Sequence, residues 1–134
     1  MGAAGSYQVN YKKSTKGNYI EVEMKGFLVL EKYQPCWLKV LDLIEKHQTN
    51  KILVDMSQSK VIAEENREWL KENYFPKAYQ ILNAKFFKVA RIVAEDIYNQ
   101  MSLKQLDTMR NEGDYPEESK NFKIQEEALD WLLT

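Results

Sequence analysis

A cluster of residues that could bind a partner lies near the middle of this 134-residue sequence. Its members are Asp55, Ser57, Ser59, Glu64, Glu65 and Trp69. They follow the apolar run 52–54, and the order of apolar run, polar turn and acidic helix start predicts a strand, a loop and a helix. Such a loop lies at the carboxyl end of a parallel strand, where open α/β sheets place their working loops. We therefore expect this cluster to form a partner-binding surface.

The same residues also have simpler explanations. Glu64 and Glu65 favour a helix start by themselves, because carboxylates in a first turn complement the helix dipole. Ser57 and Ser59 lie in the predicted loop, where a hydroxyl can accept a phosphate, but serines are common in loops. The cluster therefore indicates binding or regulation, and it leaves open whether either serine is modified.

The sequence contains no complete catalytic set. His47 is the only histidine, so a Ser-His-Asp set or a paired-histidine metal site would lack members. The five glycines are dispersed and form no phosphate-binding loop, and the single cysteine forms no Cys-x-x-Cys motif. We expect Cys36 to be a small buried hydrophobe, with a reactive thiol as the alternative. The sequence thus predicts a protein that is not an enzyme and that holds no metal or cofactor.

Aromatic residues form the second candidate site, since they are numerous for a chain of this size. Four of them follow the acidic helix start: Trp69, Tyr74, Phe75 and Tyr79. Packing in the core explains them most simply, and a pocket or an interface edge is the alternative. Pro76 predicts a kink near Phe75, which would leave room between this helix and the sheet. A small apolar, lipid-like ligand lined by these four aromatics is therefore the competing hypothesis.

Composition limits the possible partners and compartments. The formal net charge is −1, so no basic surplus exists to neutralise a phosphate backbone, and we expect no nucleic acid partner. No apolar run approaches the roughly 20 residues that span a bilayer. A lone cysteine is typical of a reducing compartment, and we expect a cytoplasmic protein. The length favours a single domain over residues 1–134, with residues 1–5 a candidate for disorder.

Apolar periodicity predicts the elements that position both sites. Alternation predicts two strands that pair as an antiparallel hairpin, and unbroken apolar runs predict two further strands covered on both faces. These strands are 7–11, 20–24, 52–54 and 86–94. Helical spacing predicts a first helix over 33–47, which begins close to Pro35, and a second from Glu64 to about Asn83.

The last third of the chain predicts a helix, a loop, a strand and a closing helix. Ser102 and Gln105 form a capping-box pattern that opens a third helix over 102–110. The acidic segment 111–120 predicts a solvated loop. A short strand and a final helix follow. The strand is predicted at Phe122 and Ile124, and the helix is predicted to bury Ala128, Leu129 and Leu132.

Three segments carry a resemblance to a known superfamily. They are VDMSQSKVIAEENREWL, FFKVARIVA and the closing FKIQEEALDWL, together with the charged hairpin before them. This pattern resembles the STAS and SpoIIAA-like superfamily, in particular a branch of small bacterial single-domain proteins distantly related to the CRAL-TRIO lipid-transfer proteins. The resemblance runs from about Tyr19 to Leu133. It implies an α/β fold with a mixed sheet of four or five strands, an N-terminal antiparallel hairpin and about four helices.

The resemblance also implies a role, and this sequence differs from the superfamily at one motif of that role. In anti-sigma-factor antagonists of this superfamily, the central strand ends in an aspartate, and an Asp-Ser-Ser-Gly motif with a phosphorylated serine opens the next helix. Asp55 matches the aspartate, but the motif is replaced by the segment 63–66, Ala-Glu-Glu-Asn, which lacks the phosphoacceptor hydroxyl. The resemblance therefore implies a regulatory, protein-interaction module without that phosphorylation switch. We also expect a homo-oligomer, because small domains with surplus aromatics often bury them between copies.

Overall fold

The computed structural model describes residues 5–60, 62–82, 87–93, 97–113 and 115–134, and these residues form five strands, five α-helices and one π-helical turn. The strands are β1 (Ser6–Ser14), β2 (Gly17–Gly26), β3 (Lys51–Ser59), β4 (Phe87–Val93) and β5 (Glu117–Phe122). The α-helices are α1 (Leu30–His47), α2 (Glu64–Trp69), α3 (Phe75–Leu82), α4 (Ile97–Glu112) and α5 (Gln125–Leu132). The π-helical turn Leu70–Tyr74 joins α2 to α3, so these three pieces form one interrupted helix.

The strands form one mixed sheet in the order β1-β2-β3-β4-β5. The hairpin β1–β2 is antiparallel, and the remaining neighbours are parallel. Val22, Val54 and Arg91 are direct neighbours across the three inner strands. This architecture confirms the predicted α/β class, the N-terminal hairpin and the mixed sheet of four or five strands.

Helices cover both faces of the sheet, so the chain has two apolar cores. The larger core packs α1, the interrupted helix and Leu103 of α4 against one face. The smaller core packs α5 against the other face, where Ala128 and Leu132 meet Leu53. Ile52 and Leu53 are consecutive and belong to opposite cores. Burial on both faces explains why β3 has an unbroken apolar run rather than an alternating one.

Helix α1 begins at Leu30, three residues before the predicted start. The carbonyl of Val29 accepts hydrogen bonds from the backbone N–H groups of Lys32 and Tyr33 at 2.9 Å. Pro35 therefore lies inside the helix. Its missing N–H costs one backbone hydrogen bond near an end of the helix, where such a loss is tolerated better than in the middle.

Pro76 produces a wide helical turn where the sequence predicts a kink. The backbone N–H of Phe75 donates to the carbonyl of Leu70, five residues earlier, instead of four. A proline ring clashes with the carbonyl four residues before it in a regular helix, and the wider turn separates the two. The irregularity therefore lies directly before Phe75, at the predicted position, and it is a π-helical turn.

Three predictions for the last third of the chain were wrong. The described part of α4 begins at Ile97, so Ser102 and Gln105 lie inside a helix and do not open it. Ser102 is buried, and its Oγ accepts a hydrogen bond from the backbone N–H of Ile62 at 3.2 Å. Segment 111–120 is not all loop, because β5 begins at Glu117 and pairs with β4.

The last strand consequently ends earlier than predicted. It ends at Phe122, and Ile124 is the exposed residue before α5. Pairing with β4 supplies the hydrogen bonds that hold this polar segment as a strand, a long-range effect that local alternation does not reveal. The predicted strand ends Phe86 and Ala94, the helix end Asn83 and residues 1–4 lie outside the described residues.

Candidate functional site

The predicted partner-binding residues fall into separate places at the carboxyl end of β3. Asp55 and Ser57 lie in a shallow polar depression with Glu23 and Lys25. The Asp55 carboxylate accepts hydrogen bonds from the backbone N–H of Ser57 at 3.0 Å and from its Oγ at 2.7 Å. A phosphate on Ser57 would lie beside this carboxylate, and repulsion between like charges disfavours that modification.

Ser59 is the last residue of the same strand. It is part of β3 rather than of a loop, which corrects the predicted position of Ser57 and Ser59. Its Oγ donates to the carbonyl of Met56 at 3.0 Å, and it lines a small cavity with Asn66. Ser59 and Ser57 therefore do not belong to one site.

Glu64 and Glu65 are exposed in the first turn of α2, beside the loop that links β2 to α1. Asn66 is buried, and its Nδ2 donates to the carbonyl of Leu28 at 2.8 Å. The backbone N–H of Lys60 donates to the carbonyl of Gly26 at 3.0 Å. The first bond holds the β2–α1 loop against the start of α2, and the second continues the pairing of β2 with β3 at their ends.

Two apolar side chains of that loop are exposed. Phe27 is 43% exposed and Val29 is 42% exposed, whereas Leu28 between them is buried. We call the surface formed by Phe27, Val29, Glu64 and Glu65 the loop–helix surface. Phe27 and Val29 were not among the predicted site residues, and the only sequence signal for them is the apolar stretch that follows Gly26.

Trp69 ends α2, one helical turn after Glu65. It is half-buried and packs against the larger core. Its position at the end of α2 makes it a packing residue that flanks the π-helical turn. The six residues predicted as one partner-binding surface are thus distributed over the depression at Asp55 and Ser57, the small cavity at Ser59, the start of α2 and the larger core.

A cavity of about 60 Å³ lies in the larger core, between the sheet and the helices that cover that face. Its aromatic lining is supplied by Tyr33 and Trp37 of α1 and by Tyr74 and Phe75. Trp37 and Tyr74 meet edge to face, with ring centroids 5.0 Å apart. The cavity thus lies beside the interruption at Pro76.

The four aromatics predicted to line a pocket divide into two pairs. Tyr74 and Phe75 line the cavity, whereas Trp69 and Tyr79 are not among its lining residues. Tyr79 is half-buried, and its ring packs on Phe87 with centroids 4.9 Å apart. Two of the four predicted aromatics therefore line the cavity, and the other two pack against the larger core outside its lining.

One end of the cavity is charged, and none of its charged residues was among the predicted site residues. Arg91 of β4 makes a bidentate ion pair with Asp107 of α4, with both N···O distances at 3.0 Å. Arg110 bonds the same carboxylate at 2.7 Å and Glu117 of β5 at 2.9 Å. Arg91, Arg110 and Glu117 all line the cavity. The only sequence signal is Arg91, a charged residue within an apolar strand.

Burial and the neighbouring charges change the protonation of both carboxylates. Burial alone would raise the pKa of Asp107, but hydrogen bonds and charge from Arg91 and Arg110 outweigh it and lower that pKa. Burial dominates at Glu117 and raises its pKa, although Arg110 and Arg91 oppose the shift. Within one cluster, the pKa of Asp107 is therefore below its ordinary value, and the pKa of Glu117 is above its ordinary value.

The buried Nε of Arg110 has no hydrogen-bond partner within the described residues, and this cavity-lining side chain is more than nine-tenths buried. The indole N–H of Trp37, which also lines the cavity, interacts with the Tyr33 hydroxyl and opposes the rise of the Tyr33 pKa that burial causes. An unpaired buried donor is costly, so such groups in native proteins usually meet a water, an ion or a ligand. This end of the cavity is consequently suited to a hydrogen-bond acceptor.

The chemistry available elsewhere is limited. Among the described residues, no group of three or more His, Cys, Asp or Glu side chains is arranged to hold a metal ion. Burial raises the pKa of the Cys36 thiol to about 12, so the sulfur is a poor nucleophile at neutral pH. His47 stacks on Tyr11, with ring centroids 3.6 Å apart. No helix within the described ranges is long and apolar enough to cross a membrane.

Comparisons with known proteins give the fold. No family model matches the chain, and no curated protein matches it either. A crystal structure of an uncharacterised protein of the DUF3478 family from Shewanella loihica PV-4, described as having a SpoIIAA-like fold, is similar over 98% of both chains. The TM-score is 0.68 and the sequence identity is 19%. This chain therefore has the SpoIIAA-like fold that its sequence pattern resembles.

Proposed function

We propose that this protein is a non-catalytic regulatory module that binds a partner protein through the loop–helix surface. The observation that carries the proposal is the exposure of Phe27 and Val29 beside the acidic start of α2. Exposed apolar side chains edged by charge are typical of protein interaction sites. Glu64 and Glu65 favour a partner that presents an apolar side chain flanked by lysine or arginine.

The phosphorylation switch of anti-sigma-factor antagonists is not part of this proposal. The segment 63–66 offers no hydroxyl at the position of their serine. Glu64 and Glu65 provide permanent negative charge there, with less charge and fewer oxygens than a phosphate. We infer that the surface is constitutively available, in the cytoplasm that the sequence predicts, and that its regulation comes from the partner.

Affinity capture from cells of the source species tests this proposal. The double variant Phe27→Ser/Glu65→Gln should lose a partner that the wild-type protein retains. Two matched controls keep the loop–helix surface intact: Leu38→Ser, which removes another exposed apolar side chain, and Asp55→Asn, which alters the separate polar depression. Equal recovery of the same proteins by the wild type and the double variant would refute the proposal.

The second candidate function is the binding of a small apolar ligand, and the cavity beside Tyr74 and Phe75 favours it. At about 60 Å³ the cavity is smaller than the about 150 Å³ of an engineered cavity that binds benzene. A lipid-sized ligand would therefore require the interrupted helix to move away from the sheet. Native mass spectrometry of the purified protein tests this function. A clean ligand-free mass, with no lipid in a solvent extract, would argue against it.

A further inference from the structure

We propose that two copies of this chain pair through the outer edges of their β1 strands, antiparallel to each other about a twofold axis at Asn10. The two five-stranded sheets then form one continuous sheet. This inference assigns an interface to the homo-oligomer that the sequence predicts, and it is independent of the loop–helix surface and of the cavity.

Strand β1 is the less protected of the two edges of the sheet. It has nine residues, and among the described residues no other strand pairs with its outer side. Its register with β2 runs from Ser6 to Ser14 without a bulge, and the strand contains no proline. Short length, bulges, prolines and charges usually protect an edge from pairing with another chain. Strand β5 has six residues, of which three are charged, whereas the charges of β1 are confined to Lys12 and Lys13.

The sequence of β1 is complementary to itself when one strand is reversed. With Asn10 opposite Asn10 of the second copy, all nine residues have a partner, which no other symmetric register achieves. The remaining pairs are then Ser6 with Ser14, Tyr7 with Lys13, Gln8 with Lys12, and Val9 with Tyr11. Both lysines lie opposite neutral residues, so no like charges face each other directly. An antiparallel pair of this length forms about eight backbone hydrogen bonds, two at every second pair.

On the face that packs against α1, this register joins the apolar rows of the two sheets. Val9 is buried beside Val22 of β2, and Tyr11 is half-buried beside Ile20. Because Val9 lies opposite Tyr11 of the second copy, these four residues form an unbroken apolar row across the interface. Pairs of an aromatic and a β-branched side chain stabilise antiparallel neighbours. The Tyr11 ring is already held by stacking on His47, so pairing orders little that is not ordered before.

On the opposite face, the charges of the two copies are complementary. Glu21 and Glu23 of β2 lie beside Asn10 and Gln8, whereas Lys12 lies towards the other end of β1. The twofold axis reverses the strand, so Lys12 of one copy lies opposite Gln8 of the other and two strands away from Glu23. Neighbouring strands are about 4.8 Å apart, which places the Cα atoms of Lys12 and Glu23 about 10 Å apart. Their long side chains can approach each other over Gln8, and this attraction favours a second copy as the occupant of the edge.

The size of this interface predicts a reversible dimer. One pair of strands with its flanking side chains is at the low end of the size range of specific interfaces, so we expect a dissociation constant of about 1 to 100 µM. The twofold arrangement uses the β1 edge of both copies, so it is closed and forms no larger species. Sedimentation velocity of the full-length chain from about 1 to 500 µM should therefore show a monomer–dimer equilibrium.

Cysteine cross-linking tests the register. Asn10→Cys places two thiols opposite each other on the axis, where Cα atoms about 4.5 to 5.5 Å apart are within the range of a disulfide. Mild oxidation should give a covalent dimer that a reducing agent separates. Gln8→Cys is the matched control, because its two Cα atoms are about 14 Å apart, beyond the reach of a disulfide. Cys36 is buried and should not cross-link in either variant.

Charge substitutions at the axis test the interface without changing the core, because Asn10 is exposed. Asn10→Lys and Asn10→Glu should each raise the dissociation constant about tenfold or more, since each places like charges opposite each other. A 1:1 mixture of the two variants should dimerise again, because the opposite charges then pair. Asn10→Gln is the neutral control, and Glu118→Lys is the control at the β5 edge. Both controls should dimerise as the wild type does.

Several results would overturn the proposal. A monomer at every concentration up to about 500 µM would exclude the pairing. A dimer that Asn10→Cys does not cross-link, or that Asn10→Lys does not weaken, would mean that the copies meet through another surface. If the chain stays monomeric and a partner protein protects the β1 amides from hydrogen exchange, the edge takes a foreign strand and the assignment to a second copy is wrong. None of these results bears on the loop–helix surface, which Phe27→Ser/Glu65→Gln tests separately.

Discussion

At the scale of single residues, the buried ion cluster between α4 and the sheet is the feature with the largest energetic consequence. Asp107 bonds two arginines whose side chains are 9% and 5% exposed. Removal of one partner from a buried ion pair leaves an uncompensated charge and costs about 3 to 5 kcal/mol. The carboxylate of Asp107 is itself 28% exposed, which places the expected cost at the lower end of that range.

Asp107→Asn should therefore lower the free energy of unfolding by about 3 kcal/mol, measured by urea denaturation at neutral pH. The matched control is Asp130→Asn, which removes the exposed ion pair with Lys16. Exposed pairs contribute about 0 to 1 kcal/mol, so the control should stay close to the wild type. Similar stability of both variants would show that the cluster does not support the fold.

Because the pKa of Glu117 is raised, its contribution to stability should fall as the pH rises, whereas that of an ordinary paired carboxylate rises with pH. Its pKa in the folded protein is raised above 4.5, so the folded state binds the proton more tightly than the unfolded state. This contribution to stability is present at low pH and is lost as the pH rises from 4.5 through the raised pKa. Glu117→Gln should therefore gain stability relative to the wild type over that window.

Urea denaturation of the two proteins at several pH values checks this expectation. Glu118→Gln, an exposed position of the same strand, serves as the control and should differ from the wild type by a nearly constant amount. A constant difference for Glu117→Gln as well would contradict the raised pKa.

At the scale of elements, sequence patterns succeed where one strand or helix determines its own burial. The alternation in β1 and β2 gives the hairpin, and Pro76 gives the interruption before Phe75. Patterns fail where a distant element supplies the stabilisation. Glu117 and its neighbours form a strand because β4 pairs with them, and no local feature of an acidic segment indicates such pairing.

In the candidate sites too, features set by local sequence were predictable and features set by distant elements were not. Exposure of Glu64 and Glu65 in a first helical turn is predictable from their position after an apolar strand. Convergence of Arg91, Arg110 and Glu117 is not predictable, since three separate elements bring these residues together. The burial of Ser102 is a similar case, because its hydroxyl bonds Ile62 across forty sequence positions.

Helix α5 gives the prediction at this scale. Ala128 and Leu132 are fully buried against the sheet, and Lys88 donates to the carbonyl of Trp131 at 2.7 Å. Truncation after Glu127 removes these contacts and exposes the smaller core. Each large buried side chain that is lost costs about 2 to 4 kcal/mol, against a total stability of about 5 to 15 kcal/mol. The 1–127 chain should therefore be unfolded or nearly so by circular dichroism. A cooperative melt within a few degrees of the full chain would contradict this.

At the scale of the whole molecule, the open sheet and the exposed apolar side chains bear on self-association. Strands β1 and β5 are the two edges of the sheet, and edge strands present backbone groups that can pair with another chain. We predict that the protein forms a homo-oligomer. Light scattering coupled to size-exclusion chromatography checks this, and a monomer at every concentration tested would contradict it.

The proposed regulatory function is also a property of the whole molecule, because it depends on which surface other proteins reach. Phe27 is exposed on the loop–helix surface, whereas Leu38 on α1 and Ile124 before α5 are exposed on other elements. Each of the three positions can carry a photo-crosslinking amino acid without disturbance of the core.

Photo-crosslinking from these three positions in living cells tests the central claim most directly. Position 27 should give a discrete adduct with a partner protein, which Glu65→Gln weakens and which positions 38 and 124 do not form. No adduct from position 27, or the same adducts from all three positions, would contradict the account.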